Sequence, residues 1–368
     1  MQSVTKSLGN KSDSVGIKMV HVFFIVNNIN KVICEEYVRS ECIPKNKVIF
    51  IFRRRGIEAS SYTSFYGYKD LKSPYLTDKD LLRFIVSVVR FRISSMGKID
   101  RRFREITNGS KCHIYVPHIY QDDLSFFATH PLCVHLSLVE EGDASYNGCS
   151  GMDPFLKIKS RNRWERALVL SFFGLKRRLK TEYFFPPEGL VRNALCMSNS
   201  AFPMYSKKKI VLEIDKLLRA SKNKIKNKIA FIAIAPLILD LDQEDHVLAF
   251  RRFIKDHKKF FKDRDLYLSF HPTIRVDIDF CSQIESVLHS EWLSFEVFSG
   301  NAERLLFGST EGGFVASTVT SLFRYCSRAG LSCLSWLKYL PNHQSAALNS
   351  LILRYESEGV CCLTPCGR

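Results

Sequence analysis

The stretch KMVHVFFIVNNINKVICEEYVRSECIPKNKVIFIF, residues 18–52, decides the fold. Its first nine residues form an apolar run rich in β-branched and aromatic side chains, which is typical of a buried strand. Two asparagines then indicate a turn, INKVICEEYVRSE has helical spacing, and KVIFIF predicts a second strand. A strand, a helix and a strand in this order form a β-α-β crossover, which favours a parallel sheet with helices on both faces.

The same alternation continues through the first half of the chain. Residues 78–96 have helical spacing, and CHIYVPHIY predicts a strand in which Pro117 limits the pairing. LCVHLSLVEEG, residues 132–142, predicts another strand, and two acids and a glycine end it. Residues 153–203 mix basic and aromatic side chains. This segment is interpreted either as a core helix with a solvated basic face or as a basic amphipathic face that holds the protein on an anionic membrane.

A lysine-rich run, SKNKIKNK at residues 221–228, indicates a domain boundary. After it, KIAFIAIAPLIL and DLYLSF predict buried strands on either side of the helical segment QEDHVLAFRRFIKDHKKFF. The helix SQIESVLHSE, the short strand SFEVF, the segments NAERLLFGS and GGFVAS, and the helix TVTSLFRYCSRAG continue the series. We therefore predict an α/β protein of two Rossmann-like domains, residues 1–220 and 221–368, that face a central cleft.

Composition narrows the class of protein. Fifty-four Lys and Arg against thirty-seven Asp and Glu give a net charge of +17, which predicts an anionic partner. Nucleic acid is not the expected partner, since the chain has no helix-turn-helix, zinc-finger or RNP signature. The polar start and the lack of a long apolar run predict a cytoplasmic protein. The twelve cysteines lack the paired spacing of a zinc site, and we interpret them as free thiols.

Three polar signals fall where predicted strands end: Glu140-Glu141-Gly142, His271-Pro272 and Ser317-Thr318. Ligands of open α/β sheets bind beyond the carboxyl ends of the strands, where helix N-termini and their free N–H groups converge. Adjacent residues of a strand point to opposite faces, so one of the two acids can face the cleft as a general base while the other makes structural hydrogen bonds. Gly142 permits a tight turn and the close approach of a ligand.

The two signals of the second half suit an anionic group. An imidazole at His271 can donate a hydrogen bond to an anionic leaving group, and Pro272 fixes the direction of the chain after the strand. Ser317 and Thr318 lie at a predicted strand-to-helix turn, where such residues favour the N-cap position. The same hydroxyl and N–H groups can bind a phosphate.

Together these motifs resemble those of bacterial sialyltransferases of the GT-B fold, including lipooligosaccharide sialyltransferases and capsule polysialyltransferases. That group carries a D/E-D/E-G motif in its N-terminal domain, and an HP motif followed by a Ser/Thr pair in its C-terminal domain. The resemblance implies that Glu140, or alternatively Glu141, is the base. It also implies that His271 contacts the CMP phosphate, that Ser317 and Thr318 hold it, and that Glu303 lies near the ribose.

The resemblance further implies inverting transfer of sialic acid, or a related nonulosonic acid, from a CMP-activated donor without a metal or other cofactor. The resemblance leaves three acceptors open: a lipooligosaccharide, a polysialic acid and another surface glycan. In each case the acceptor is expected to be lipid-linked or anionic. Contact with the inner face of the cytoplasmic membrane would suit such an acceptor. Two alternatives remain: another CMP- or UDP-sugar transferase of the same fold, and a basic nucleic-acid-binding protein.

Overall fold

The structure is a computed structural model. It describes residues 19–53, 57, 60–66, 97–119, 122–146, 185–186, 188–205, 208–213, 228–235, 242–271, 274–300, 302–307, 313–328, 330–341 and 344–365. Within these ranges, no helix is both long enough and apolar enough to cross a membrane.

The first sheet is parallel throughout, and the described residues supply seven strands. Their order across the sheet is β3-β2-β1-β4-β5-β6-β7. In chain order the strands are β1 Val20–Ile25, β2 Val48–Phe52, β3 Thr63–Tyr66, β4 Cys112–Val116, β5 Cys133–Val139, β6 Ala194–Cys196 and β7 Lys209–Val211. Strand β1 thus lies in the middle of the sheet, β2 and β3 extend it to one side, and β4 to β7 extend it to the other, as in a Rossmann fold.

The second sheet repeats this plan. It is also parallel, and its order is β10-β9-β8-β11-β12-β13. The strands are β8 Ile229–Ile234, β9 Asp265–Phe270, β10 Glu296–Val297, β11 Phe314–Ser317, β12 Ser332–Ser335 and β13 Cys361–Cys362. Counted from β8, this is the Rossmann order 3-2-1-4-5-6.

Helices connect the strands of both sheets. The described helices are α1 Asn28–Ser40, α2 Gly97–Ile106, α3 Asp122–Ala128, α4 Gln243–His257, α5 Ile278–Ser290, α6 Ala302–Phe307, α7 Leu322–Arg328 and α8 Ala346–Ser357. Four of them begin at a polar side chain that accepts from a backbone N–H of the first turn, which is the preferred way to satisfy a free helix end. These N-caps are Asn27, Asp242, Asp277 and Ser345.

The central strands β1, β2 and β4 of the first sheet are buried on both faces. Phe23 and Tyr115 lie in one hydrophobic cluster, while their neighbours Val22 and Ile114 lie in the other. The larger cluster, which contains Phe23 and the buried side of α1, continues into the second domain. Burial on both faces explains why β1, β2 and β4 are continuous apolar runs in the sequence.

The predicted fold class is confirmed. Two parallel sheets with connecting helices form two Rossmann-like domains, the GT-B type of α/β architecture. The boundary predicted at residue 220, the helix predicted at 78–96 and most of the basic segment predicted at 153–203, namely residues 153–184, lie outside the described residues. The described end of that segment contains strand β6.

Several predicted element boundaries are wrong, and three of them have a clear physical reason. The strand predicted as CHIYVPHIY ends at Val116, because Pro117 has no N–H to pair. Helix α5 begins at Ile278, earlier than predicted, since Asp277 caps it. Helix α7 begins at Leu322 rather than near Thr318, and the Thr320 hydroxyl accepts from the Leu322 N–H (3.2 Å).

Candidate functional site

The first acid of the pair, Glu140, is fixed inside the first domain. It directly follows β5 and is fully buried. One carboxylate oxygen, Oε1, accepts from the Tyr146 hydroxyl (2.6 Å), and the other, Oε2, accepts from the backbone N–H of Met197 (2.8 Å). Hydrogen bonds to both oxygens satisfy a buried carboxylate and hold it in one orientation. This environment gives Glu140 a structural role in joining the ends of β5 and β6.

The second acid, Glu141, has a different environment. Its side chain is 21% exposed, and its Oε2 lies 3.5 Å from Nε2 of His118. His118 follows β4, the neighbouring strand, and is itself buried. Of the two acids, Glu141 is therefore the one whose carboxylate an incoming hydroxyl can reach, with an imidazole beside it.

Two asparagines at the start of α1 hold the acidic loop from the end of β1, which β4 separates from β5. The side-chain amide of Asn27 donates to the carbonyl oxygen of Glu141 (2.9 Å), and that of Asn30 donates to the carbonyl oxygen of Glu140 (3.3 Å). Asn27 also caps α1 by accepting from the Asn30 N–H (2.7 Å). The sequence pattern indicates only a turn at Asn27. A signal is nevertheless present, because Asn27 is a polar residue at the end of a predicted strand, like the motifs that begin at Glu140, His271 and Ser317.

The acidic loop is also the place where the two domains meet. Gly142 has a φ of +148°, and a Cβ atom there would lie 3.0 Å from Cβ of Ser321 in the second domain. The guanidinium carbon of Arg324 lies 3.7 Å from the centre of the Tyr146 ring. Glycine at position 142 thus allows both the backbone conformation and the close approach of α7. The carboxyl ends of the two sheets face each other here.

Arg324 links this contact to the last helix of the chain. Its side chain is buried, and its Nη1 lies 2.7 Å from Oε1 of Glu358, which ends α8. A continuous series of contacts therefore joins Glu358, Arg324, Tyr146 and Glu140 across the two domains. Sequence reasoning missed Arg324, Tyr146 and Glu358, because no local pattern distinguishes them from other helix and loop residues.

The Ser317-Thr318 pair lies at the carboxyl end of β11. Ser317 is the last residue of that strand and fully buried, and its hydroxyl donates to the carbonyl oxygen of Ala233 (2.6 Å). The carbonyl oxygen of Thr318 accepts from the Ser335 hydroxyl (2.9 Å). The predicted N-cap position is wrong for both residues, since α7 begins four residues after Thr318.

His271 directly follows β9, as predicted, and its side chain is exposed. Its N–H donates to the carbonyl oxygen of Ile234 (2.9 Å), which keeps it in line with β8. Because only β8 separates β9 from β11, His271 and Ser317 lie on one edge of the sheet, about 10 Å apart at the strand spacing. Pro272 and the side chain of Glu303 lie outside the described part of the structure.

Comparisons with known proteins give likenesses of structure only. No protein-family model and no curated protein matches the sequence. UDP-GlcNAc 2-epimerase from Neisseria meningitidis bound to UDP-GlcNAc is 12% identical, with 95% of this chain and 96% of that chain covered and a TM-score of 0.47. MnaA from S. aureus with UDP is 11% identical, with 95% and 93% covered and a TM-score of 0.47.

The wall teichoic acid polymerase TagF, in its H444N variant, is a further similar structure. It is 10% identical, with 90% of this chain and 73% of that chain covered and a TM-score of 0.43. Nothing about the substrate of this chain follows from these likenesses, and its fold class rests on the strand order of its own two sheets.

Proposed function

We propose that this protein is a glycosyltransferase that moves sialic acid, or a related nonulosonic acid, from a CMP-activated donor to a hydroxyl of a bacterial surface glycan. One observation carries the proposal. The partly exposed carboxylate of Glu141 lies at the carboxyl edge of the first sheet, where the second domain presents the strand ends of His271 and Ser317-Thr318. A base and an anion-binding edge on opposing domains suit transfer between two bound substrates.

Glu141 is the general base in this mechanism. Its carboxylate takes the proton of the acceptor hydroxyl as the oxygen attacks the anomeric carbon of the sugar. The bond from that carbon to the CMP phosphate oxygen breaks, with inversion, and CMP leaves with the bonding electrons. Although the family resemblance put Glu140 first and Glu141 as the alternative, the two short hydrogen bonds of Glu140 in the core support a positioning role for it.

The second domain stabilises the leaving group. The exposed imidazole of His271 donates to the phosphate as its negative charge grows, which requires no metal. The Ser317 hydroxyl donates to the carbonyl oxygen of Ala233, so we assign the contact with the phosphate to Thr318, which is 3% exposed before a ligand binds. Gly142 lets the acidic loop approach the second domain closely, and Glu303 binds the ribose.

The acceptor class follows from charge. A net charge of +17 favours an anionic or lipid-linked glycan, such as a lipooligosaccharide or a capsule chain. In this proposal the protein works in the cytoplasm, at the inner face of the membrane where such glycans are assembled, and it does not bind nucleic acid.

Nucleotide selectivity tests the proposal. We expect CMP, but not UMP, GMP or AMP at equal concentration and without metal, to raise Tm, since a ligand at a hundredfold excess over Kd stabilises by about 2.7 kcal/mol. His271→Ala should reduce the CMP shift, whereas His289→Ala, which changes an exposed histidine on α5, should not.

The other outcomes of the nucleotide-binding test would contradict the proposal in different ways. A selective shift with UMP would replace the proposal by a UDP-sugar transferase of the same fold. No shift with any nucleotide would contradict a nucleotide-sugar donor altogether. If CMP is selected, transfer from CMP-sialic acid to a set of glycan acceptors completes the test.

A further inference from the structure

The end of α5 carries a tryptophan in an unusual position. The helix closes with a Schellman motif, in which the N–H of Leu293 donates to the carbonyl oxygen of Leu288 (3.1 Å) and that of Trp292 donates to His289 (3.0 Å). Trp292 occupies the left-handed position of this motif, with a φ of +57°. Its side chain is 91% exposed.

Other helices of this chain end in the same way with different residues. The left-handed position holds Asn108 after α2, Gly330 after α7 and Gly359 after α8, while Cys42 holds it after α1. Glycine and asparagine suit this conformation, whereas a bulky side chain is strained in it.

Trp292 therefore combines backbone strain with an exposed apolar surface. The residues on either side hold it in place, because Leu288 and Leu293 are both buried. Neither the strain nor the exposure contributes to the stability of the folded chain. Local strain that the surrounding structure maintains is a reason to look for function, and here it points to a partner outside the chain.

The surroundings of Trp292 are rich in lysine. Helices α4 and α5 pack together, and both lead towards the amino-terminal edge of the second sheet. An ion pair between Lys258 Nζ and Glu291 Oε2 (3.3 Å) joins their ends directly beside Trp292. Four further cations lie along this segment, with Lys255 in the last turn of α4 and Lys259, Lys262 and Arg264 after the helix. They stand against three acids, Asp256, Asp263 and Asp265.

We propose that this surface, made by Trp292 and the lysines of residues 255–264, docks onto an anionic lipid bilayer. An indole prefers the headgroup level of a membrane, and lysines near it are attracted by anionic lipids. A single projecting indole is too small for a stable contact with a second copy, which needs on the order of 1,000 Å². Proteins that stack nucleic-acid bases hold their aromatic residues in a basic groove, whereas Trp292 projects from a helix end.

The geometry leaves the candidate site accessible. Trp292 precedes β10 and the lysine turn precedes β9, so the surface lies at the amino-terminal edge of the second sheet. His271 and Ser317-Thr318 lie at the opposite, carboxyl edge. Docking at this surface is thus independent of the proposed reaction. The inference therefore does not rest on the proposed function.

Vesicle binding by the full chain tests the inference. We expect sedimentation with phosphatidylcholine vesicles that contain phosphatidylglycerol, and much less with phosphatidylcholine alone. Trp292→Gly should weaken this binding at least tenfold while Tm stays equal or rises, because glycine relieves the left-handed strain. The matched control is Cys42→Gly, which makes the same backbone change at the end of α1 and should leave vesicle binding unchanged.

A charge variant separates the two contributions. Lys259→Gln combined with Lys262→Gln should weaken binding to the anionic vesicles and abolish most of its salt dependence. The inference is overturned if Trp292→Gly binds vesicles as well as the original chain does, or if vesicles without anionic lipid bind equally. It is also overturned if the substitution instead dissociates a dimer or removes binding to a random oligonucleotide while vesicle binding persists.

Discussion

Two neighbouring glutamates with the same chemistry have opposite environments here, because successive residues at a strand end point in opposite directions. Glu140 points inward, where Tyr146 and Met197 bind its carboxylate, and Glu141 points to the surface beside His118. The sequence predicts that one of the two acids faces the cleft while the other makes structural hydrogen bonds. It does not predict which of the two faces the cleft. The contacts that decide it come from other loops of the first domain.

Paired substitutions separate these roles. We expect Glu141→Gln to lower transfer at least about a hundredfold, the usual range for loss of a general base, while CMP binding and Tm are retained. Glu140→Gln should instead lower the free energy of unfolding by about 1–3 kcal/mol, because its amide would face the donors Tyr146 and Met197. Initial rates and urea unfolding measure both effects. Near-normal transfer by Glu141→Gln would rule out its role as the base.

At the scale of elements, a row of histidines crosses three strands of the first sheet. His21, His113 and His135 lie in register on β1, β4 and β5. The Tyr115 hydroxyl lies 2.9 Å from Nδ1 of His21 and 3.0 Å from Nδ1 of His113, and Nε2 of His113 lies 2.7 Å from the Ser137 hydroxyl. Burial lowers the pKa of His21 to about 4 and that of His113 to about 2, with nearby cationic groups adding to the effect.

This row predicts loss of stability in mild acid. Because both histidines have folded pKa values below the value of about 6.5 in an unfolded chain, the unfolded state binds more protons as pH falls. The stabilisation that comes from keeping these histidines neutral should be present in full well above pH 6.5 and should be lost progressively towards pH 4. For the buried His113, the free energy of unfolding should fall by up to about 1.4 kcal/mol per pH unit. Urea midpoints at pH 7.5, 6.5 and 5.5 measure the slope.

The window from pH 5.5 to 7.5 lies above the range in which carboxylates titrate, so histidines dominate the slope. His113→Gln should make the slope shallower, and the control His289→Gln, at an exposed site, should not. Part of the slope should remain in His113→Gln, because burial also lowers the pKa values of His21, His130, His246 and His257. An unchanged slope in His113→Gln would show that the buried His113 does not contribute to the loss of stability in mild acid.

At the scale of the whole molecule, the two domains share a core and a polar link. The larger hydrophobic cluster includes residues of both sheets. Arg324, which is 8% exposed, contacts the Tyr146 ring of the first domain and forms an ion pair with Glu358 of the second. A desolvated cation over an aromatic ring stabilises more than an exposed one, so this contact should couple the domains.

A double-mutant cycle measures this coupling. We expect Arg324→Met and Tyr146→Leu to be non-additive by about 1–2 kcal/mol in the free energy of unfolding. The control cycle pairs Tyr146→Leu with Lys338→Met, which removes the exposed ion pair of Lys338 with Glu356 and should be additive. Additivity in the first cycle would mean that the Arg324 contact does not couple the domains.

The sequence alone determined the alternation of strands and helices, because continuous apolar runs and helical spacing are local properties. It also determined that Glu140-Glu141, His271 and Ser317 end strands, which the structure confirms. Short elements such as β6, β7 and β13 escaped prediction, since two or three residues carry no clear period. Their place depends on the neighbouring strand that pairs with them.

Only the tertiary structure decided which acid is exposed, which asparagines hold the acidic loop and which residues join the domains. The physical reason is separation along the chain. Asn27 is 114 residues from Glu141 and Met197 is 57 residues from Glu140, so no local pattern encodes these hydrogen bonds. They form only when the parallel strands bring their carboxyl ends to a common edge, and the contact of Arg324 with Tyr146 forms only when two such edges meet.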